Sequence, residues 1–269
     1  MQLETIQPGL DLLTRAMPGS TYPVAAVKLT GTALTAVIDT LIRPADMTPF
    51  GSTDLVIYTH ADWDHCWGTA AFPGAPIIGH RLTGERLRSE TEARELATKR
   101  AEMPTEFDGS VLIPPQITFE QSMQVDLGGF TLQLHHLPGH CSDALLLYVP
   151  DHELVLAGDT AEVPVPYLNE FGQIADWAAG LRRWERAGVK RVIPSHGRPG
   201  GPELLAQTAT YIEETLGQVQ FLVMAGCDLP EIQKRCSVEP LLPAGVKPES
   251  YASLHKANLA QCWRELTGQ

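Results

Sequence analysis

Four short apolar segments of this chain each run into a turn that carries histidine or aspartate, and this repetition constrains the fold more than any other feature. Leu55–Tyr58 leads into the segment Thr59-His60-Ala61-Asp62-Trp63-Asp64-His65. The other three end in Pro-Gly-His, Gly-Asp-Thr and Ser-His-Gly, which contain His140, Asp159 and His196. Each of these three residues adjoins a glycine, which lets the backbone turn tightly. Because functional groups are often carried on loops at strand ends, the pattern predicts a site at one edge of a β-structure.

The segment from His60 to His65 holds four residues of metal-ligating type in a run of six. If the chain is extended there, His60 and Asp62 point to the same side, because side chains alternate along a strand. Asp64 and His65 then fall in the following turn. Neutral imidazoles and carboxylates together suit Zn, Mn or Fe. Taken alone, the segment fits either a metal site or an exposed polar turn, and the three later segments favour the metal site.

Taken in order, the four segments resemble the metallo-β-lactamase superfamily, from Val37 to Gly197. The family pattern is a His-x-His-x-Asp-His run, a Pro-Gly-His turn, a Gly-Asp-Thr-like segment and a Ser-His-Gly-like segment. The resemblance implies an α/β fold, a four-layer αβ/βα sandwich of two mixed β-sheets flanked by helices. It also implies a site for two divalent metal ions at one edge of the sheets.

The residues that match the family's metal ligands form two groups of three and one shared carboxylate. The resemblance implies that these are His60, Asp62 and His140 for one ion, Asp64, His65 and His196 for the other, and Asp159 as the bridge.

Asp62 departs from the family pattern, which usually has a second histidine at this position. A carboxylate oxygen is a harder ligand than an imidazole nitrogen, so the preference shifts away from pure Zn toward Mn or Fe. Three carboxylates (Asp62, Asp64 and Asp159) and a bridging hydroxide sum to −4, which balances two divalent ions. The extra anion would make the bridging water less acidic.

The shared chemistry of the superfamily implies metal-assisted hydrolysis by a bridging hydroxide. The expected substrate is a small ester, thioester, lactone or phosphodiester. Asp64, or else a metal-bound water, is the expected proton donor to the leaving group. Tyr167 is a candidate for polarising the substrate, or else a packed loop aromatic. The alternative is an iron-dependent, oxygen-using redox enzyme on the same scaffold, because the flavodiiron reductases are similar in having an acidic residue at the Asp62 position.

Three further residues are candidates for hydrogen bonds that support the ligands, which metal-binding side chains usually need. They are His135, His136 and Asp143, for which ordinary packing is the other interpretation.

The charge of the chain narrows the class of partner. Lys and Arg total 20 and Asp and Glu total 32, a formal net charge of −12. This balance disfavours long nucleic acid and anionic membrane surfaces. Five cysteines without close pairing predict no disulfide framework, and the N-terminus lacks a signal-peptide pattern. We therefore expect a cytoplasmic enzyme that acts on a small molecule.

Periodicity predicts strands in both halves of the chain and four longer helices. The helices are expected at Arg81–Glu102, Asn169–Ala187, Glu203–Ala225 and Ser250–Leu266. The first of these is either a lid over the site or a solvated helix with ion-paired faces. Residues 1–269 are interpreted as a single metallo-β-lactamase-like domain on which a C-terminal helical segment, 200–269, packs. The long helices after Gly200 could provide the face of a homodimer.

Overall fold

The computed structural model describes residues 1–20, 22–168 and 173–269. Within these ranges the first sheet has seven strands whose spatial order equals their order in the chain. They are β1 (Gln2–Gln7), β2 (Leu10–Ala16), β3 (Pro23–Thr30), β4 (Thr35–Ile38), β5 (Leu55–Ile57), β6 (Ile77–His80) and β7 (Ile117–Phe119). Strands β1 to β4 pair antiparallel, and β4 to β7 pair parallel.

The second sheet is formed by the later strands. In chain order they are β8 (Ser122–Asp126), β9 (Thr131–His136), β10 (Leu145–Val149), β11 (Leu154–Gly158) and β12 (Arg191–Pro194). Strands β8 to β11 pair antiparallel, whereas β12 runs parallel to β11. Because β9 and β11 are both antiparallel to β10, the strands β9, β11 and β12 share one direction. Their carboxyl ends therefore lie at the same edge of the sheet.

Helices cover the outer faces of the sheets. They are α1 (Trp63–Cys66), α2 (Arg81–Arg86), α3 (Glu90–Glu102), α4 (Ile174–Glu185), α5 (Glu203–Met224), α6 (Leu229–Arg235) and α7 (Ala252–Thr267). No helix in the described ranges combines the length and the apolar character needed to cross a bilayer.

Three apolar clusters separate the layers. The central one joins the inner faces of the two sheets, for example Val27 and Ile57 with Leu134 and Leu156. A second cluster packs the outer face of the first sheet against the segments around Trp67. The third packs the outer face of the second sheet against α4, α5 and α7. The predicted α/β sandwich of two mixed sheets between helices is thus confirmed.

The prediction of one continuous helix over Arg81–Glu102 is wrong. The chain forms α2 and α3 with a break between them, because the apolar side chain of Leu87 is buried and Ser89 starts a new helix. The Ser89 hydroxyl accepts a hydrogen bond from the Glu92 backbone N–H at 3.2 Å, a typical N-cap.

The later helices follow their apolar periodicity more closely. The predicted helix Asn169–Ala187 corresponds to α4, and residues 169–172 lie outside the described residues. Helix α6 was not predicted, since its seven residues are too short to show a period.

The segment 200–269 is tied to the loop that follows Asp159 by buried hydrogen bonds. In α7, the Asn258 side chain accepts from the Leu168 N–H at 3.1 Å and donates to the Pro166 carbonyl at 2.7 Å. It also donates to the Tyr211 hydroxyl at 2.9 Å. Asn258 is fully buried, so these backbone groups depend on it for a partner.

We expect Asn258→Ala to lower the free energy of unfolding by about 1–3 kcal/mol, because it leaves buried polar groups unpaired. Urea denaturation of the whole chain measures the change. Lys256→Ala, an exposed position one half-turn earlier on α7, is the matched control and should leave stability nearly unchanged. Equal stability of the two variants would contradict an integral role of the C-terminal segment.

Candidate metal centre

The seven predicted ligands meet at the edge where β5, β9, β11 and β12 end. In the first group, the Nε2 atoms of His60 and His140 lie 3.6 and 3.4 Å from Oδ2 of Asp62. In the second group, Nε2 of His65 and Nε2 of His196 lie 3.7 and 3.3 Å from Oδ2 of Asp64. These are the same two groups of three that the sequence predicts.

Asp159 lies between the two groups. Its Oδ2 atom is 3.8, 3.4, 3.5 and 3.3 Å from the Nε2 atoms of His60, His65, His140 and His196, respectively. One carboxylate is thus within reach of both sets of ligands, as expected of a bridge.

The donor atoms fit divalent ions in number, type and spacing. Ligands about 2.1 Å from a tetrahedral ion are about 3.4 Å from one another, close to the separations just described. Nε2 of His60, Nε2 of His65 and Oδ1 of Asp159 are buried and have no hydrogen-bond partner among the described residues. Buried polar atoms normally have a partner, and a metal ion would satisfy those that face the centre.

Asp39 orients two of the histidines from behind. Its Oδ2 atom lies 3.0 Å from Nδ1 of His65 and accepts a hydrogen bond from the Thr59 hydroxyl at 2.7 Å. Since the Thr59 hydroxyl donates to Asp39, its oxygen is free to accept from Nδ1 of His60 at 3.0 Å. Both rings then carry their proton on Nδ1 and turn the Nε2 lone pair toward the centre.

The other two histidines are held by backbone carbonyls. Nδ1 of His140 donates to the Tyr167 carbonyl at 3.2 Å and lies 3.6 Å from Oε2 of Glu162. Nδ1 of His196 donates to the Pro23 carbonyl at 2.8 Å. In the neutral form, all four rings would therefore share one tautomer, with the Nε2 lone pair available to a metal.

Burial and charge act in opposite directions on the ligands. Burial alone would lower the pKa of His65, but the charges of Asp159 and Asp64 raise it well above the ordinary value. Against the effect of burial, hydrogen bonds to Asp62 and Glu162 raise the pKa of His140 well above its ordinary value. Asp159 and Asp64 do the same for the pKa of His196. Burial would raise the pKa of Asp159, but the charges of His196 and His65 hold it well below its ordinary value.

Tyr167 contacts the centre through its backbone. Its N–H donates to Oε2 of Glu162 at 2.9 Å, and its carbonyl accepts from His140. The side chain is 42% exposed and its ring lies 6.1 Å from the His140 ring. The ring of Tyr22 contacts a candidate ligand directly. It stacks on the His196 ring, with 5.2 Å between the ring centroids. The sequence did not indicate Tyr22 as a site residue; it directly precedes β3.

Of the three residues considered as supports, Asp143 contacts the chain next to the ligands. Its Oδ2 atom accepts from the Ala61 N–H at 2.9 Å, between His60 and Asp62. His136 instead donates to the Ser142 carbonyl and stacks on another histidine, and His135 packs on a tryptophan. These contacts of His135 and His136 do not involve a candidate ligand.

Arg86, at the end of α2, is a further residue that the sequence did not single out. Its guanidinium donates to Oδ1 of Asp62 and to Oδ1 of Asp143, both at 2.6 Å, and to Glu92 at 3.2 Å. Asp39 also was not singled out, but it follows β4 directly, as the candidate ligands follow their strands. The sequence pattern could therefore have indicated it. Arg86 had no comparable signal.

Comparison with known proteins agrees with this geometry. The sequence pattern of the Metallo-beta-lactamase superfamily matches residues 26–196. A linear primary-alkylsulfatase of a Pseudomonas strain is 24% identical over 172 residues, which are 59% of this chain and 32% of that protein. An acyl-coenzyme A thioesterase of Gallus gallus is 22% identical over 168 residues, covering 58% of this chain and 61% of that one. The chain thus spans less than two thirds of the length of these relatives.

Among solved structures, a metallo-beta-lactamase family protein of Thermus thermophilus superposes with a TM-score of 0.69 at 19% identity. The superposition covers 98% of this chain and 95% of that one. At this identity the likeness shows the fold. The matched sequence pattern spans more than half of the chain and includes every candidate ligand from His60 to His196, so the protein belongs to the metallo-beta-lactamase superfamily.

Proposed function

We propose that this protein is a metal-dependent hydrolase with a dinuclear centre that cleaves a small ester, thioester, lactone or phosphodiester. The observation that carries the proposal is the position of Asp159. One of its oxygens lies 3.3 to 3.8 Å from four histidine Nε2 atoms that belong to two separate groups. A carboxylate shared between two sets of three candidate ligands would suit a pair of divalent ions about 3.5–4 Å apart.

The residues of the chain would perform three tasks in hydrolysis. The two groups of ligands would hold the ions, which when bound acidify a water molecule and polarise the scissile carbonyl or phosphoryl oxygen. Asp64 is a carboxylate at neutral pH because, although burial opposes ionisation, the charges of His65 and His196 lower its pKa. In this ionised form it is proposed to accept the proton of the attacking water and to pass it to the leaving group. Tyr167, on the loop beside His140, is proposed to contact the substrate.

The relatives widen the set of bonds to test. One is named an alkylsulfatase and another an acyl-coenzyme A thioesterase, so a sulfate ester belongs in the panel beside the carboxylic ester, thioester, lactone and phosphodiester. The protein would be loaded separately with Zn, Mn and Fe before the assay. Turnover of one substrate class with bound Zn or Mn would support the proposal.

Asp62 favours a second candidate, an iron-dependent enzyme that uses oxygen. Its Oδ2 atom faces His60 and His140, where it adds a hard anionic ligand suited to iron. Two bound Fe per chain with visible absorption and oxygen consumption, without turnover of the panel, would favour this candidate over hydrolysis.

We expect His60→Ala and Asp159→Ala each to lose bound metal and turnover by more than about 100-fold, because even outer partners of metal ligands contribute about 10- to 100-fold. Metal content by mass spectrometry and initial rates measure the two effects. His152→Ala is the control, since His152 contacts Gln7 and Phe130, outside the centre. Full activity in metal-depleted Asp159→Ala protein would overturn the proposal.

We expect metal binding to release protons at neutral pH and the apparent metal affinity to rise with pH. The carboxylates raise the pKa values of His65, His140 and His196 well above the ordinary value, so these rings are protonated before the ion binds and must lose a proton to coordinate it. Titration calorimetry in buffers of different ionisation enthalpy counts the protons. An affinity that is constant across the neutral range would contradict this electrostatic description.

A further inference from the structure

We propose that Arg86 is a positioning residue that allows Asp62 to serve as a metal ligand where the superfamily usually has histidine. The inference rests on the proposed metal centre and adds a residue that the ligand pattern does not contain. Arg86 would act through Asp62 and not on the substrate.

The first observation is how Arg86 divides the two oxygens of Asp62. Nη2 of Arg86 donates to Oδ1 at 2.6 Å. Oδ2 is the atom that faces Nε2 of His60 at 3.6 Å and Nε2 of His140 at 3.4 Å. With Oδ1 committed to the guanidinium, the carboxylate presents a single donor atom to the centre. It thereby imitates an imidazole, which also offers one atom.

The second observation is that Arg86 is itself held in place. Its Nη1 donates at 2.6 Å to Oδ1 of Asp143, whose side chain is fully buried. Oδ2 of Asp143 accepts from the Ala61 N–H and from the Thr83 hydroxyl at 2.9 and 2.8 Å. Asp143 thus connects the guanidinium to the backbone between His60 and Asp62. The planar guanidinium can bind two carboxylates at fixed angles, which a lysine ammonium cannot do as rigidly.

The third observation is charge. The superfamily pattern with a second histidine has one carboxylate fewer than this chain, and Asp62 supplies the additional negative charge. The guanidinium compensates that charge at 2.6 Å, and its side chain is only 24% exposed, so solvent screens the pair less than at the surface. The guanidinium also contacts the carboxylates of Asp143 and Glu92, so it offsets part of the local negative charge. We therefore expect Arg86 to matter more for metal binding when residue 62 is aspartate than when it is histidine.

A double-variant cycle on the full chain tests this dependence. Affinities for Zn²⁺ and Co²⁺ would be measured by competition with a chelator for four proteins: wild type, Arg86→Gln, Asp62→His, and the two changes combined. We expect Arg86→Gln to weaken the binding of the first-group ion by about 10- to 100-fold in the Asp62 background, the usual effect of losing an outer partner. In the Asp62→His background we expect the same change to alter the affinity by less than about 3-fold, because the contact between Arg86 and residue 62 is already lost.

The Co²⁺ absorption spectrum adds a readout that a loss of stability alone would not change. When Arg86 no longer holds Oδ1, both oxygens of Asp62 can bind the ion, so Arg86→Gln should raise the coordination number and weaken the visible bands. Arg86→Lys should restore part of the affinity by restoring the charge. Arg81→Gln is the matched control, since Arg81 lies on the same helix and pairs with the exposed Glu85 and Glu120.

Each contrary result identifies what has failed. If wild-type protein binds neither ion, both the metal centre and the role of Arg86 are overturned. If wild type binds and Arg86→Gln binds equally well with an unchanged spectrum, the role of Arg86 is overturned and the centre stands. If Arg86→Gln weakens binding equally in both backgrounds, Arg86 supports the fold through Asp143 and the inference is also overturned.

Discussion

Several carboxylates are buried beside four imidazoles at the candidate metal centre, and their charge is the main electrostatic constraint on this part of the fold. The side chains of Asp62, Asp64 and Asp159 are each about one fifth exposed or less. Like charges that are buried together repel strongly, because water is excluded. Only compensating positive charge makes the arrangement tenable. The raised pKa values of His65, His140 and His196 reflect this need for positive charge. Divalent ions would compensate the carboxylates more completely than protons on the rings do.

The fold meets this demand by bringing strand ends to one edge. Strands β9, β11 and β12 point the same way, and the turns that follow them present His140, Asp159 and His196. The parallel part of the first sheet adds β5, whose end carries the segment from His60 to His65. Rigid paired strands hold the ligands to within the small tolerances that coordination requires.

A second set of groups fixes how each ligand points. The Nδ1–H groups of the four histidines donate hydrogen bonds to a carboxylate, a hydroxyl and two backbone carbonyls. The Pro23 carbonyl comes from a segment that sequence patterns had not connected with the site. The Tyr167 carbonyl lies on the loop that also carries Glu162, and the sequence had suggested Tyr167 only as a contact to the substrate. Helix α7 in turn holds that loop through the hydrogen bonds of Asn258. The C-terminal segment therefore supports the centre indirectly, through the loop whose Tyr167 carbonyl binds His140.

The sequence indicated the residue types of the candidate ligands, and the family resemblance implied their grouping and the class of fold. The residue types could be recognised because each candidate ligand follows a short apolar strand within a few residues, and His140, Asp159 and His196 also adjoin a glycine. Such patterns are local in the chain. Asp39 could have been predicted by the same reasoning, since it follows β4 directly. The helix over Arg81–Glu102 was wrong because a buried Leu87 and a capping Ser89 interrupt a composition that otherwise favours helix.

The hydrogen-bond and ion-pair partners of the candidate ligands become apparent from the tertiary structure alone. Arg86 and Asp62 are 24 positions apart, and Pro23 and His196 are 173 apart, separations at which no periodicity relates one residue to the other. The charge count from the sequence, which set −4 against two divalent ions, therefore omitted the guanidinium beside Asp62. Electrostatic balance in a buried site is a sum over neighbours in space, and the chain's order does not reveal those neighbours until it folds.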